Sequence, residues 1–138
     1  MHVLDSKLSD LVLKTIAIEM GEIHLFEEIG IIEFKEGADL SIKNTLDLVH
    51  YIQMQFGLNK PFALISNRVN SYALRPLDSR KVKLQFPNLK GYGVVATNSA
   101  ARLGAEIEND FCTAHEIIYS DLCDAFYALK DRVTRSAS

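Results

Sequence analysis

The residues best equipped for chemistry fall in one string, Ile65-Ser66-Asn67-Arg68-Val69-Asn70-Ser71-Tyr72-Ala73-Leu74-Arg75-Pro76. Ser66, Asn67, Asn70, Ser71 and Tyr72 supply hydroxyls and amides that donate and accept hydrogen bonds. Arg68 and Arg75 can each clamp a carboxylate or phosphate through two parallel bonds. The pattern fits a docking surface for a protein partner or, alternatively, a small-molecule anion binder or enzyme that uses the same strand end. The competing reading is that the polar side chains satisfy backbone groups of a long ordered loop.

Other combinations are weaker. Cys112-Thr-Ala-His115, with Cys123 further on, could bring three soft ligands together, or could pair a thiol nucleophile with a base. The set lacks a fourth ligand, and both cysteines adjoin apolar stripes, where a thiol is a small core filler. Glu22 and His24 share one face of a strand, but metal or acid–base work there needs a third partner that spacing does not name. An exposed polar strand face is the simpler expectation. His50 lies off the apolar stripe of its helix and is expected at the surface. No Gly-rich phosphate loop and no G-x-S-x-G elbow occurs. Neither a metal nor a cofactor is therefore expected, and no catalytic residue is nominated.

These residues must be positioned by elements that hydropathy can locate. Val12–Glu19, Glu22–Phe26 and Ile29–Lys35 read as three strands, separated by Met20-Gly21 and Glu27-Glu28. Such short gaps allow only antiparallel neighbours. Ile42, Leu46, Val49, Ile52 and Phe56 recur at helical spacing, and Gly57 follows as a left-handed stop. Phe62-Ala63-Leu64-Ile65 is a short apolar run, as expected of a central strand covered on both faces. Residues 66–77 read as an irregular loop and 78–86 as a short helix. Gly91–Ala96 reads as a second interior strand, and Ala100, Leu103, Ile107 and Phe111 as a helical stripe. Glu116–Tyr119 follows as a third interior strand. Ser120 is placed to cap a last helix, whose stripe is Leu122, Ala125 or Phe126, Leu129 and Val133. An antiparallel meander over 12–35 thus precedes a βαβαβα run with helices packed on the sheet, an α/β fold. Residues 1–11 read as a polar lead-in, 12–133 as one domain and 134–138 as a frayed tail.

Composition fits that architecture. The chain has 138 residues, 48% hydrophobic and 24% charged, enough for one domain with its own core. The net charge of −3 conceals three blocks. Residues 19–39 carry seven acids against Lys35, residues 60–90 seven bases against Asp78, and residues 106–131 seven acids against Lys130. The blocks either neutralise one another or leave a positive surface for an acidic partner. No nucleic-acid motif appears and no helix is continuously basic, so nucleic-acid binding is not expected. No apolar stretch is long enough for a membrane span, and the mixed-charge N-terminal residues do not form a secretory leader. Two isolated cysteines suit reduced thiols in a cytoplasm. The front strands leave a sheet edge that invites a homodimer, unless Glu27, Glu28 and Lys35 blunt it.

Four strings carry a resemblance: I-S-N-R-V-N-S-Y at 65–72, K-P-F at 60–62, A-E-I-E-x-x-F at 105–111 and S-D-L-x-D-A at 120–125. They resemble small bacterial proteins grouped as STAS/SEC14-like. The element order is similar to the STAS-like, or SpoIIAA-like, fold of anti-sigma-factor antagonists. The resemblance spans residues 12–130 and implies a non-enzymatic regulatory or protein-binding module. In the antagonists a phosphorylatable serine follows an aspartate at the start of the next helix. Asp78-Ser79 echoes that motif, which makes Ser79 the candidate modification site, among bases instead of acids.

Overall fold

The computed structural model describes residues 2–19, 21–35, 38–40, 42–57, 59–67, 72–74, 86, 88–95, 117–119 and 121–137. Two short 3-10 turns, Val3–Asp5 and Lys7–Leu11, open the chain. Three strands follow, β1 (Lys14–Ile18), β2 (Gly21–Leu25) and β3 (Ile29–Phe34), then a short β4 (Ala38–Leu40) and helix α1 (Ile42–Phe56). Next come β5 (Phe62–Asn67), β6 (Tyr72–Leu74), β7 (Leu89–Val95) and β8 (Ile117–Tyr119), and then helix α2 (Leu122–Ala137).

Six strands form one sheet in the order β1-β2-β3-β5-β7-β8. The first three pair antiparallel, with Glu22 opposite Glu33 and His24 opposite Ile31. β3, β5, β7 and β8 are mutually parallel. The meander and the parallel run expected from segment spacing are both present, and β5 lies in the interior of the sheet. The class is mixed α/β.

Each face of the sheet carries its own core, because strand residues alternate sides. Phe62 and Leu64 of β5 pack with Ile23, Leu25, Ile32 and Phe34 beneath Leu48, Val49, Ile52 and Phe56 of α1. Phe56 stacks on Phe62 with centroids 4.4 Å apart, and Phe86 meets Phe62 edge-on. On the other face Ala63 and Ile65 pack with Ile29, Ile31 and Val95 beneath Leu122, Ala125, Phe126, Leu129 and Val133 of α2. Val3 and Leu8 of the 3-10 turns complete that second core.

Local chemistry sets the helix ends. Gly57 closes α1 at φ 66°, with its N–H donating to the Gln53 carbonyl at 2.8 Å. At the start of α2 the Asp121 carboxylate accepts from the Asp124 N–H at 3.1 Å, as a cap does. Ser120, the expected cap, lies outside the described residues.

Several sequence expectations need correction. Leu46 is exposed and Leu48 is buried, because α1 is rotated about its axis toward the 48 flank of its apolar stripe. Residues 66–77 are not one irregular loop: Ser66 and Asn67 extend β5, and Tyr72–Leu74 forms β6, which pairs in parallel with β4. Three-residue strands show no alternation to detect, which is why the sequence hides them. α2 continues past Val133 to Ala137. The sheet edge is β1, which carries Lys14; Glu27 and Glu28 sit at the β2–β3 turn and Lys35 follows the interior strand β3. The expected helix at 78–86, apart from Phe86, and the helical stripe Ala100, Leu103, Ile107 and Phe111 lie outside the described residues. Among the described residues, no helix is long and apolar enough to cross a membrane.

Candidate functional site

The β2–β3 register carries Glu22, His24 and Glu33 onto one sheet face. Their strand partners bring Thr15 of β1 and Asn67 of β5 beside them. The first 3-10 turn then folds over this polar row. His24 is 0% exposed and Glu33 6%, while Glu22 at the rim keeps 50% exposure. The expectation of a solvent-exposed polar strand face is overturned: Val3 and Leu8 anchor the N-terminal segment against the sheet and exclude water from it.

Burying a carboxylate without partners is costly, and Glu33 has several. Its Oε1 accepts from His24 Nε2 at 2.8 Å. Its Oε2 accepts from the Val3 N–H at 2.9 Å and from Asn67 Nδ2 at 2.7 Å. Burial by itself raises the Glu33 pKa. The bonds from His24, Val3 and Asn67, with the charge of a protonated His24, outweigh that and hold it below the usual carboxylate range. Since the carboxylate only accepts, His24 Nε2 carries a hydrogen in this arrangement. The other ring nitrogen, Nδ1, lies 3.0 Å from Thr15 Oγ1. A hydroxyl can donate or accept, so Thr15 serves either protonation state of the ring.

Two further groups flank the pair. Glu22 Oε2 lies 3.5 Å from His24 Nε2, and His2 Nδ1 lies 3.6 Å from Glu33 Oε1. A cavity of about 170 Å³ opens beside them, lined by His2, Ala17, Ile18, Gly21, Glu22, Glu33, Phe34 and Lys35. Gly21 permits this close approach: a Cβ there would stand 2.0 Å from the Glu33 carbonyl oxygen.

The structure splits the residues nominated from sequence. Ser66 and Asn67 are both buried in β5, and as neighbours on a strand they point to opposite faces. Asn67 turns inward to Glu33, whereas Ser66 lies on the α1 face. Tyr72 belongs to β6. Arg68, Asn70, Ser71, Arg75 and Ser79 lie outside the described residues, as do Cys112 and His115. Cys123 is half-buried against the α2 core, and His50 is exposed with its ring against Tyr51. Sequence reasoning reached Glu22 and His24 but missed Glu33 as their partner. A signal was present. A two-residue turn at Glu27-Glu28 fixes the hairpin register, and counting outward equally on both sides lands on Glu22 and Glu33.

Imidazole and carboxylate donors are the types that bind divalent metal ions, and the ligand atoms of Glu22, His24 and Glu33 lie within 4.8 Å of one another. No family model, curated protein or solved structure matches the chain.

Proposed function

We propose that the chain is a non-enzymatic regulatory or protein-binding module of STAS-like type, docking a partner through residues 66–76 and the adjacent helix. The observation that carries the reading is the anchoring of this segment at two points. Asn67 is fastened to Glu33 on the sheet, and Tyr72–Leu74 is paired to β4 outside it. Arg68 to Ser71 join these anchors, leaving the C-terminal end of β5, the edge where open α/β sheets meet their ligands. Fixed ends lower the ordering cost of recognition. Arg68 and Arg75 would meet acidic groups of the partner. Ser79 is the position where a phosphate would alter that surface, with Arg80 beside it in sequence. The reading also includes a cytoplasmic location, and a homodimer formed by pairing of β1 edges, for which light scattering is the check.

The test uses the full chain as bait in a native lysate, with an Arg68→Ala/Arg75→Ala variant as control. A protein enriched by the wild type, lost with the variant and weakened by salt supports the reading. Equal capture by both overturns it. Thermal shifts with phosphate or small carboxylates that Arg68→Ala abolishes would replace it with a small-anion binder at the same strand end.

A further inference from the structure

We propose that His24, Glu33 and Glu22 bind one divalent first-row transition-metal ion, with His2 as fourth donor. The proposal does not depend on the role of the 66–76 segment, although Asn67 at the start of that segment orients Glu33.

The donor set is the first ground. His24 Nε2, Glu33 Oε1, Glu22 Oε2 and His2 Nδ1 offer two imidazoles and two carboxylates, whose charges balance a doubly charged ion. Such mixed nitrogen and oxygen sets suit zinc, manganese or iron(II) more than calcium or copper(I). In a tetrahedral zinc site, with ligands at about 2.0–2.1 Å, donor atoms sit roughly 3.4 Å apart. The separations of 3.5 Å from His24 to Glu22 and 3.6 Å from His2 to Glu33 are near that edge. The donors of Glu22, His24 and Glu33 all lie within 4.8 Å of one another, so the exposed rim side chains close in as the ion binds. The His24–Glu33 contact of 2.8 Å needs to open by about 0.6 Å as the His24 Nε2 proton leaves to solvent.

The surrounding hydrogen bonds are the second ground. A ligating imidazole is oriented by a bond from its other nitrogen, and a ligating carboxylate by bonds to its other oxygen. Thr15 holds His24 through Nδ1 and leaves Nε2 to the site. Val3 and Asn67 hold Glu33 through Oε2 and leave Oε1 to the site. Both inner donors are thereby aimed before any ion arrives. The third ground is access. The two inner donors are buried, while Glu22 and His2 are half-exposed and line the adjoining cavity, so an ion has an entry path. Bound there, the ion would tie residue 2 to the third strand of the sheet.

The experiment is titration of the full chain, free of any histidine tag, with Zn²⁺ by calorimetry and with Co²⁺ by visible absorption. The expected result is one equivalent bound, a higher melting temperature and a ligand-field spectrum of low symmetry. Glu22→Gln, which removes a ligand at the rim, should weaken binding by at least the roughly 10–100-fold that loss of an outer-shell partner costs, with the apo melting temperature recorded as the check on folding. His2→Ala should weaken it as well. Absence of saturable binding by either ion up to millimolar concentration overturns the proposal. So does an affinity that Glu22→Gln leaves unchanged, since the ion would then sit elsewhere, for example at Cys123. An affinity unchanged by His2→Ala alone overturns the assignment of the fourth donor.

Discussion

Glu33 draws its partners from three other stretches of chain: His24 across the hairpin, Asn67 from β5 and the Val3 amide from the N-terminal turn. Its folded pKa lies below the ordinary carboxylate value, so the unfolded chain binds more protons in the acid range. The stabilisation is therefore complete above the unfolded pKa and is lost as pH falls through the lowered folded value. Glu33→Gln should cost about 2–3 kcal/mol at neutral pH, because an amide cannot accept on both sides. The gap between wild type and variant, measured by urea unfolding, should narrow as pH drops below about 4. Asn67→Asp should be worse than Asn67→Ala, since it sets a second carboxylate where the first now accepts at 2.7 Å. None of this is legible from Ile29-Gly-Ile-Ile-Glu-Phe read alone, where one acid in an apolar run resembles a surface position. Burial of Glu33 is decided by residues far along the chain, and composition near Glu33 carries no trace of them.

Elements were more legible than residues. The meander, the helix stopped by Gly57, the interior strand from Phe62 and the last helix all follow from period and punctuation. The stripe Leu122, Ala125, Phe126, Leu129 and Val133 is buried as read. What escaped is what needs a partner to exist: β4 and β6, and the rotation of α1. Gly57→Ala tests the stop. Nothing lies within 4 Å of an added Cβ, so its cost is conformational, about 1 kcal/mol. Gly21→Ala meets the Glu33 backbone instead of open space. It should destabilise the chain by several times as much, roughly 3 kcal/mol or more, and disturb the hairpin amides in NMR spectra.

At the level of the whole molecule, one sheet separates two cores, and the N-terminal segment belongs to one of them. Val3 and Leu8 are fully buried, although hydropathy at 1–11 suggests only a polar lead-in. Leu4 and Leu11, by contrast, are exposed, so the apolar residues here follow neither a helical nor a strand period, yet each buried anchor is worth about 1.5–3 kcal/mol. A chain beginning at Val12 should lose on the order of 5 kcal/mol, a large share of a typical domain's stability. Guanidinium unfolding would reveal this as a lower midpoint. Because the two cores lie on opposite sides of the sheet, Ile52→Ala and Leu129→Ala should each cost about 2–5 kcal/mol. Their effects should add within a few tenths.

The bond from Val3 to Glu33 has one more consequence. Amides in short 3-10 turns outside the sheet ordinarily exchange hydrogen for deuterium quickly, because local opening exposes them. The Val3 amide is capped by a buried carboxylate that is itself locked to two interior strands, so its exchange should be slowed to the pace of the second core. A single slow signal from this 3-10 turn would report, in real time, whether the polar knot beneath it is tied.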